Sequence, residues 1–197
     1  MPDDTPRENP YPDATWATEA MLKAYAHPLR RRIARALVRL DHARAADLAA
    51  ELDIPANSIS FHLRVLADAG LIEEAPERAR DRRDRVWKAK DGSWNLGSPE
   101  HPMPDEVLGN ALMQSLAEDH FDMVRRLLAW APEYTSGRTA ERHGTFVQRN
   151  SKLTEAEFTA LEKRLNEVMQ EFEAAHDPDD PDTRVWSIDI IAADDTI

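Results

Sequence analysis

Between Pro55 and Leu66 the chain reads Pro55-Ala56-Asn57-Ser58-Ile59-Ser60-Phe61-His62-Leu63-Arg64-Val65-Leu66. Ile59, Leu63 and Leu66 recur at three- and four-residue spacing and so share one face of a helix. Asn57, Ser60, Phe61 and Arg64 then point the other way. These types suit the edge of a base pair, because a helix fits the major groove of B-DNA. There a carboxamide can pair two atoms of adenine, a guanidinium can reach guanine or phosphate, and an aromatic ring can touch a thymine methyl. Ser58, near the helix start, can bond a phosphate beside the free backbone donors there. A second group, Arg78, Arg80, Arg82, Arg83 and Arg85, is interrupted by Asp81 and Asp84. Such a basic tip can lie over a groove and neutralise phosphates. By residue type alone each of these side chains also suits a solvated surface. His62 reads as a packing residue rather than a ligand or catalyst.

Charge along the chain bears on both readings. The 197 residues carry 25 Lys/Arg and 37 Asp/Glu, a formal net charge of −12, which at first argues against a polyanionic partner. Yet residues 21–90 hold 15 basic and 10 acidic residues, whereas residues 91–197 hold 9 and 22. A basic segment in an acidic protein suggests one surface for polyanions and another that repels them; chance clustering on solvated helices is the alternative. There is no cysteine, which removes disulfides, thiolate metal centres, iron–sulfur clusters and thiol catalysis. No H-E-x-x-H, G-x-S-x-G or phosphate-cradling glycine loop occurs, so no enzyme is expected. Asp119, His120 and Asp122 offer oxygen and imidazole, but not at a spacing that gathers them on one helix face. Neither a metal nor a cofactor is expected. No apolar run approaches the roughly 20 residues that span a bilayer, and the start lacks the basic and apolar regions of a secretion signal. The expectation is a cytoplasmic chain with no membrane partner.

The elements that must position these residues follow from periodicity and punctuation. Residues 1–14, with Pro2, Pro6, Pro10 and Pro12, read as an extended or disordered tail. A short helix is expected from Thr15 to Ala26, ended by His27-Pro28. Pro28 opens a second helix carrying Leu29, Ile33, Leu37 and Leu40, whose Arg30, Arg31 and Arg35 can also meet a DNA backbone unless packing buries their stems. Ala45–Leu52 is a third helix, Asp53–Ala56 a turn, and Asn57–Ala69 a fourth helix stopped by Gly70. Leu71-Ile72 and Val86-Trp87 open the two strands of a hairpin. Helix–helix–turn–helix–hairpin is the order of a winged helix-turn-helix domain, here 15–91. A linker is expected at 92–104. The helical remainder, 105–197, holds a long helix Asp105–Trp130 ended by Pro132. It also holds a helix opened by a Thr154/Glu157 capping box and running to about His176. Short strands are expected at Thr145–Val147 and Arg184–Ile191. The fold class is therefore mainly α with a little β: a winged helix-turn-helix plus a helical C-terminal region with a short β element.

The stretch Leu22–Lys90 resembles the ArsR-type winged helix-turn-helix of bacterial transcriptional regulators. The carrying residues are Ala26-His27-Pro28-Leu29-Arg30-Arg31-Arg32-Ile33, Ala45-Ala46-Asp47-Leu48-Ala49, and Ser60-x-His62-Leu63-x-x-Leu66 closed by Ala69-Gly70-Leu71. The chain departs from the family pattern at Phe61, where a polar or basic residue is common, so no operator sequence carries over. The resemblance implies a sequence-specific regulator that binds double-stranded DNA. DNA-binding residues would be Asn57, Ser58, Ser60, Phe61, Arg64, Arg78, Arg80, Arg82 and Arg83. One recognition helix covers few base pairs, so a homodimer on a palindromic operator is expected. The long helix and the first helix are the candidates for its twofold interface. A small-molecule effector is the further partner that 105–197 would take: Trp130, Tyr134, Phe146, Phe158, Phe172 and Trp186 line a cavity or fill a small core. The alternative is a winged helix used as a protein-interaction module without sequence-specific DNA binding.

Overall fold

The computed structural model describes residues 14–81, 84–90, 92, 94–177 and 180–196. The expected tail lies almost wholly outside the described residues, as do Arg82 and Arg83. Along the chain run β1 (Thr15–Trp16), α1 (Glu19–Tyr25), α2 (Pro28–Leu40), β2 (His42–Arg44), α3 (Ala45–Leu52), α4 (Ala56–Asp68) and β3 (Ile72–Glu74). A turn of 3-10 helix at Pro76–Arg78, β4 (Val86–Ala89), β5 (Trp94–Asn95), α5 (Glu106–Thr135) and α6 (Glu155–Ala175) follow. The winged helix-turn-helix is therefore present, in a mainly helical chain with little strand. No helix among the described residues is long and apolar enough to cross a membrane.

Local chemistry sets the boundaries. The first helix starts later than expected, because Thr15 and Trp16 are extended and the Thr18 hydroxyl caps α1 by accepting from the Met21 amide at 3.2 Å. His27 caps α2, its Nδ1 accepting from the Leu29 amide at 3.1 Å, with Pro28 behind it at the first helical position. The α3–α4 turn bends at Asp53, in the left-handed region at φ 55°, which Asp tolerates better than most residues. At the end of α4, Gly70 at φ 72° lets the Leu71 and Gly70 amides reach back to the Leu66 and Ala67 carbonyls. This is the six-to-one, five-to-two pattern that satisfies orphan carbonyls.

The three-stranded sheet has the order β2-β4-β3, all antiparallel, with Ala43 opposite Trp87 and Ile72 opposite Ala89. It lies over a core built from Ala24, Ile33, Leu37, Leu48, Ile59, Leu63, Leu66, Ile72 and Trp87. β2 was not expected; a three-residue strand is too short to show alternation.

The chain divides into two compact units. One comprises Trp16–Asp91, Leu96–Gly144 and Arg184–Ile197, and holds the winged helix and α5. α5 continues through Pro132 to Thr135 instead of ending there. A proline so near the C-terminus gives up one backbone hydrogen bond, while Ser136 and Gly137 still donate to the Pro132 and Tyr134 carbonyls. The other unit comprises Met1–Thr15, Gly92–Asn95 and Thr145–Thr183 and contains α6. Its Thr154/Glu157 capping box forms as expected.

Two expected strands do not form. Thr145–Val147 and Arg184–Ile191 have no regular structure. A strand needs a neighbour to take its backbone donors and acceptors, and neither segment has one among the described residues. Phe146, Phe172 and Trp186 are exposed, Phe172 by 75%.

Candidate nucleic-acid interface

α4 divides its residues as their spacing dictates. Ile59, His62, Leu63 and Leu66 are buried. Asn57, Phe61 and Arg64 are exposed, and Ser58 and Ser60 are half-buried. Five of the nine sequence-predicted residues are thus brought together on this one helix. Phe61 stands out, since 56% of a large apolar ring faces solvent on an otherwise polar surface. The Asn57 Oδ1 accepts from the Ser58 amide at 2.9 Å, and the Ser60 hydroxyl donates to the Ala56 carbonyl at 2.9 Å. Arg64 donates its Nε–H to the Ser60 carbonyl at 3.3 Å. No carboxylate pairs with Arg64 among the described residues, which leaves its charge available. To pair with a base edge, Asn57 must release the Ser58 amide.

His62 packs inward as its place in the motif suggests. It is 8% exposed, its ring 4.9 Å from that of His27, and its Nδ1 has no hydrogen-bond partner among the described residues. Burial, then the His27 and Arg30 charges, lower its pKa. His27 is lowered too, by burial first and then by Arg30.

The wing sorts its charges. Lys88 pairs with Glu73 at 3.1 Å, directly across the β3–β4 ladder, and Arg85 with Glu74 at 3.5 Å. Arg78 and Arg80 are exposed and have no carboxylate in ion-pair range among the described residues. Asp residues shape the tip instead: the Arg80 amide donates to Asp84 at 3.4 Å and the Asp84 amide to Asp81 at 3.1 Å. A polar cleft, lined by His42, Arg44, Asp47, Arg78, Arg80 and Asp84, lies between β2 and the wing. Arg44 grips Asp47 through Nε and Nη2 at 2.9 and 2.7 Å. The Arg44 side-chain hydrogen bonds, with smaller help from the Arg80 charge, hold the Asp47 carboxyl down at about 2. Asp47 Oδ2 also accepts from the Arg44 backbone amide at 2.9 Å, which satisfies one donor at the start of α3.

Arg30, Arg31 and Arg35 of α2 bond within the chain, as the packing alternative allows. Arg30 donates to the Ala24 and Lys23 carbonyls at the end of α1. Arg31, 2% exposed, and Arg35 both bond Asp119 of α5, at 2.8 and 2.9 Å. Arg31 is buried and does not face phosphate, whereas Arg30 and Arg35 spend hydrogen bonds within the chain while part of each side chain stays in solvent. Burial works against the Asp119 carboxylate, but the hydrogen bonds from Arg31 and Arg35 outweigh it and lower its pKa. The neighbouring acids and imidazole are also committed, His120 to Asp189 at 3.1 Å and Asp122 to Arg125. Among the described residues no three His, Asp or Glu gather as metal ligands.

Residues 25–75 match a family model described as a helix-turn-helix domain. No curated protein matches the chain in sequence. Among solved structures, the YusO protein from Bacillus subtilis is similar at 14% identity and a TM-score of 0.35, covering 80% of this chain and 82% of that one. The apo C30AH42A mutant of Lactococcus lactis ZitR is similar at 17% identity and a TM-score of 0.29, covering 77% and 83%. TM-scores at this level do not define a shared overall architecture. The matched segment ends at β3, and the antiparallel pairing of β3 with β4 completes it as a winged helix-turn-helix, the kind of module that DNA-binding transcription regulators carry.

Proposed function

We propose that this chain is a sequence-specific transcription regulator, ArsR-like in its DNA-binding part, that acts in the cytoplasm and binds a palindromic operator as a homodimer. Asn57, Phe61 and Arg64 read base edges, Ser58 holds phosphate at the start of α4, and Ser60 joins it where its hydroxyl leaves the Ala56 carbonyl. Arg78, Arg80, Arg82 and Arg83 of the wing neutralise the flanking backbone. The observation that carries this is the exposed Asn57–Phe61–Arg64 face, set on a helix whose other side is locked into the core by Ile59, Leu63 and Leu66. A duplex presents half-sites about 34–36 Å apart to a twofold protein. Phe121 and Leu128 leave apolar surface on α5 for a second copy. α1 buries Met21, Leu22 and Ala24 within its own chain and contacts α5, so the far part of α5 is the better twofold candidate. The region 105–197 would take a small-molecule effector.

The test is binding to duplex from the protein's own promoter region, against excess competitor. Asn57→Ala removes one bidentate base contact, which typically provides about 1–3 kcal/mol of discrimination. The specificity ratio should fall roughly 5- to 150-fold, while non-specific binding persists. An unchanged ratio rules out this orientation of α4. One observation favours a protein-interaction module instead, the strongly acidic residues 91–197. Absence of competitor-resistant DNA binding at moderate salt would select it.

A further inference from the structure

Leu112, Ser115 and Asp119 fall three and four residues apart, on one face of α5. Leu112 is fully buried. At Gly109 an added Cβ would come within 2.2 Å of the Met103 sulfur, so the segment leading into α5 packs closely on its first turn. The next two residues on that face meet one guanidinium. Arg31 donates Nε–H to Asp119 Oδ2 at 2.8 Å and Nη1–H to the Tyr25 and Ala26 carbonyls at 2.9 and 3.2 Å. Its Nη2–H goes to the Ser115 hydroxyl. Arg35, one turn further along α2, reaches the same Asp119 oxygen at 2.9 Å. One buried cation therefore ties the end of α1, the body of α2 and the middle of α5. Beyond Asp119 the helix runs 16 more residues to Thr135 and exposes Phe121 and Leu128. At 1.5 Å per residue that is a lever of about 24 Å. A 10° change at its root moves its tip by about 4 Å, close to the rise of one base pair, about 3.4 Å.

We propose that Asp119 is a positioning residue: held by Arg31 and Arg35, it fixes the angle at which α5 leaves the DNA-binding unit, and so the half-site spacing that the dimer accepts. This rests on the homodimer proposed above. Asp119→Asn keeps an oxygen acceptor but removes the charge that both arginines share.

Because the chain has no cysteine, Asp68→Cys on α4 and Arg126→Cys on α5, both at exposed positions, take spin labels without competition. Labelled chain diluted in unlabelled chain should give a narrow distance distribution, broadened by Asp119→Asn. Arg35→Ala, at a half-exposed side chain, should broaden it less and serves if Asp119→Asn fails to fold. The second readout uses duplexes selected by the full-length protein from a random library, with half-site spacing then shifted by one and two base pairs. The unmodified protein should lose at least about tenfold in affinity per shift, at about 1.4 kcal/mol per decade. Folded Asp119→Asn should lose under about threefold, with single half-site affinity unchanged. A folded variant with the original distance distribution and spacing profile overturns the role of Asp119 and leaves the homodimer standing. Indifference of the unmodified protein to spacing overturns the homodimer, and this role with it.

Discussion

The sorting of wing charges makes a quantitative prediction. Arg78 and Arg80 face solvent without a carboxylate partner among the described residues, whereas Lys88 is held by Glu73 at 3.1 Å. Each phosphate neutralised by a protein cation adds about 0.9 to the slope of log affinity against log salt. Replacing both arginines in Arg78→Ala/Arg80→Ala should flatten that slope by about 1.8. Between 50 and 200 mM salt one contact accounts for about 3.5-fold of the lost affinity and two for about 12-fold. Phosphates carry no sequence information, so affinity for the operator and for scrambled duplex should fall in parallel. Fluorescence anisotropy on labelled duplex across a salt series measures both. Lys88→Ala is the internal control: its charge is already shared across the ladder, so its slope should change by well under the ~0.9 of one phosphate contact. A double variant whose slope matches the unmodified protein refutes the wing as a phosphate clamp. A loss confined to the operator would mean that these arginines read bases instead.

Two further expectations separate recognition from stability. Phe61→Ala removes a ring that is 56% exposed, so thermal stability should move by no more than about 0.5 kcal/mol. Discrimination at a site containing thymine should drop; a large stability loss would show that Phe61 packs within the fold. The His27–His62 pair sets the sign of the pH response. Both pKa values are lowered, by burial first, with Arg30 acting on each. Their neutral forms belong to the fold, since His27 Nδ1 must stay an acceptor to cap α2. Stability should therefore be flat above the ordinary histidine range near 6.5 and decline as pH falls through it toward the lower folded values. The slope is at most about 1.4 kcal/mol per pH unit for each histidine. His27→Asn, which preserves a good cap but does not titrate, should make the decline shallower. Urea unfolding at pH 5 to 8 checks this, and stability that rises on acidification contradicts it.

The recognition half of the molecule was legible because its signals are local. Ile59, Leu63 and Leu66 state their spacing within eight residues, and Gly70 and Pro28 mark the ends of the helices they adjoin. α3 spans Ala45–Leu52 as read, and α4 lies one residue earlier than read. Arg31 is hard to read for the opposite reason. Its type and its basic neighbours suggest phosphate, but its partner Asp119 is 88 residues away. No local pattern can show that a charge will be buried against a distant carboxylate.

The C-terminal misreadings have another cause, and it bears on assembly. Alternation in Arg184–Ile191 says which face a strand would present, not that another strand is there to pair with it. Within one chain none is found among the described residues, and Trp186, Ile188 and Ile190 remain at least half exposed. The stripe on α5 likewise told the helix correctly but not what would cover it: Phe121 and Leu128 stay in solvent. An apolar pattern specifies that surface must be buried, at about 25 cal/mol per Å² removed from water, without specifying by which chain. Large apolar patches left on a folded chain mark contact surfaces. A twofold dimer provides the same surface twice, and twofold operators ask for it. The residues that frustrate a single-chain reading are the surface that the proposed homodimer would use, which is why the spacing experiment bears on Asp119 and on the dimer together.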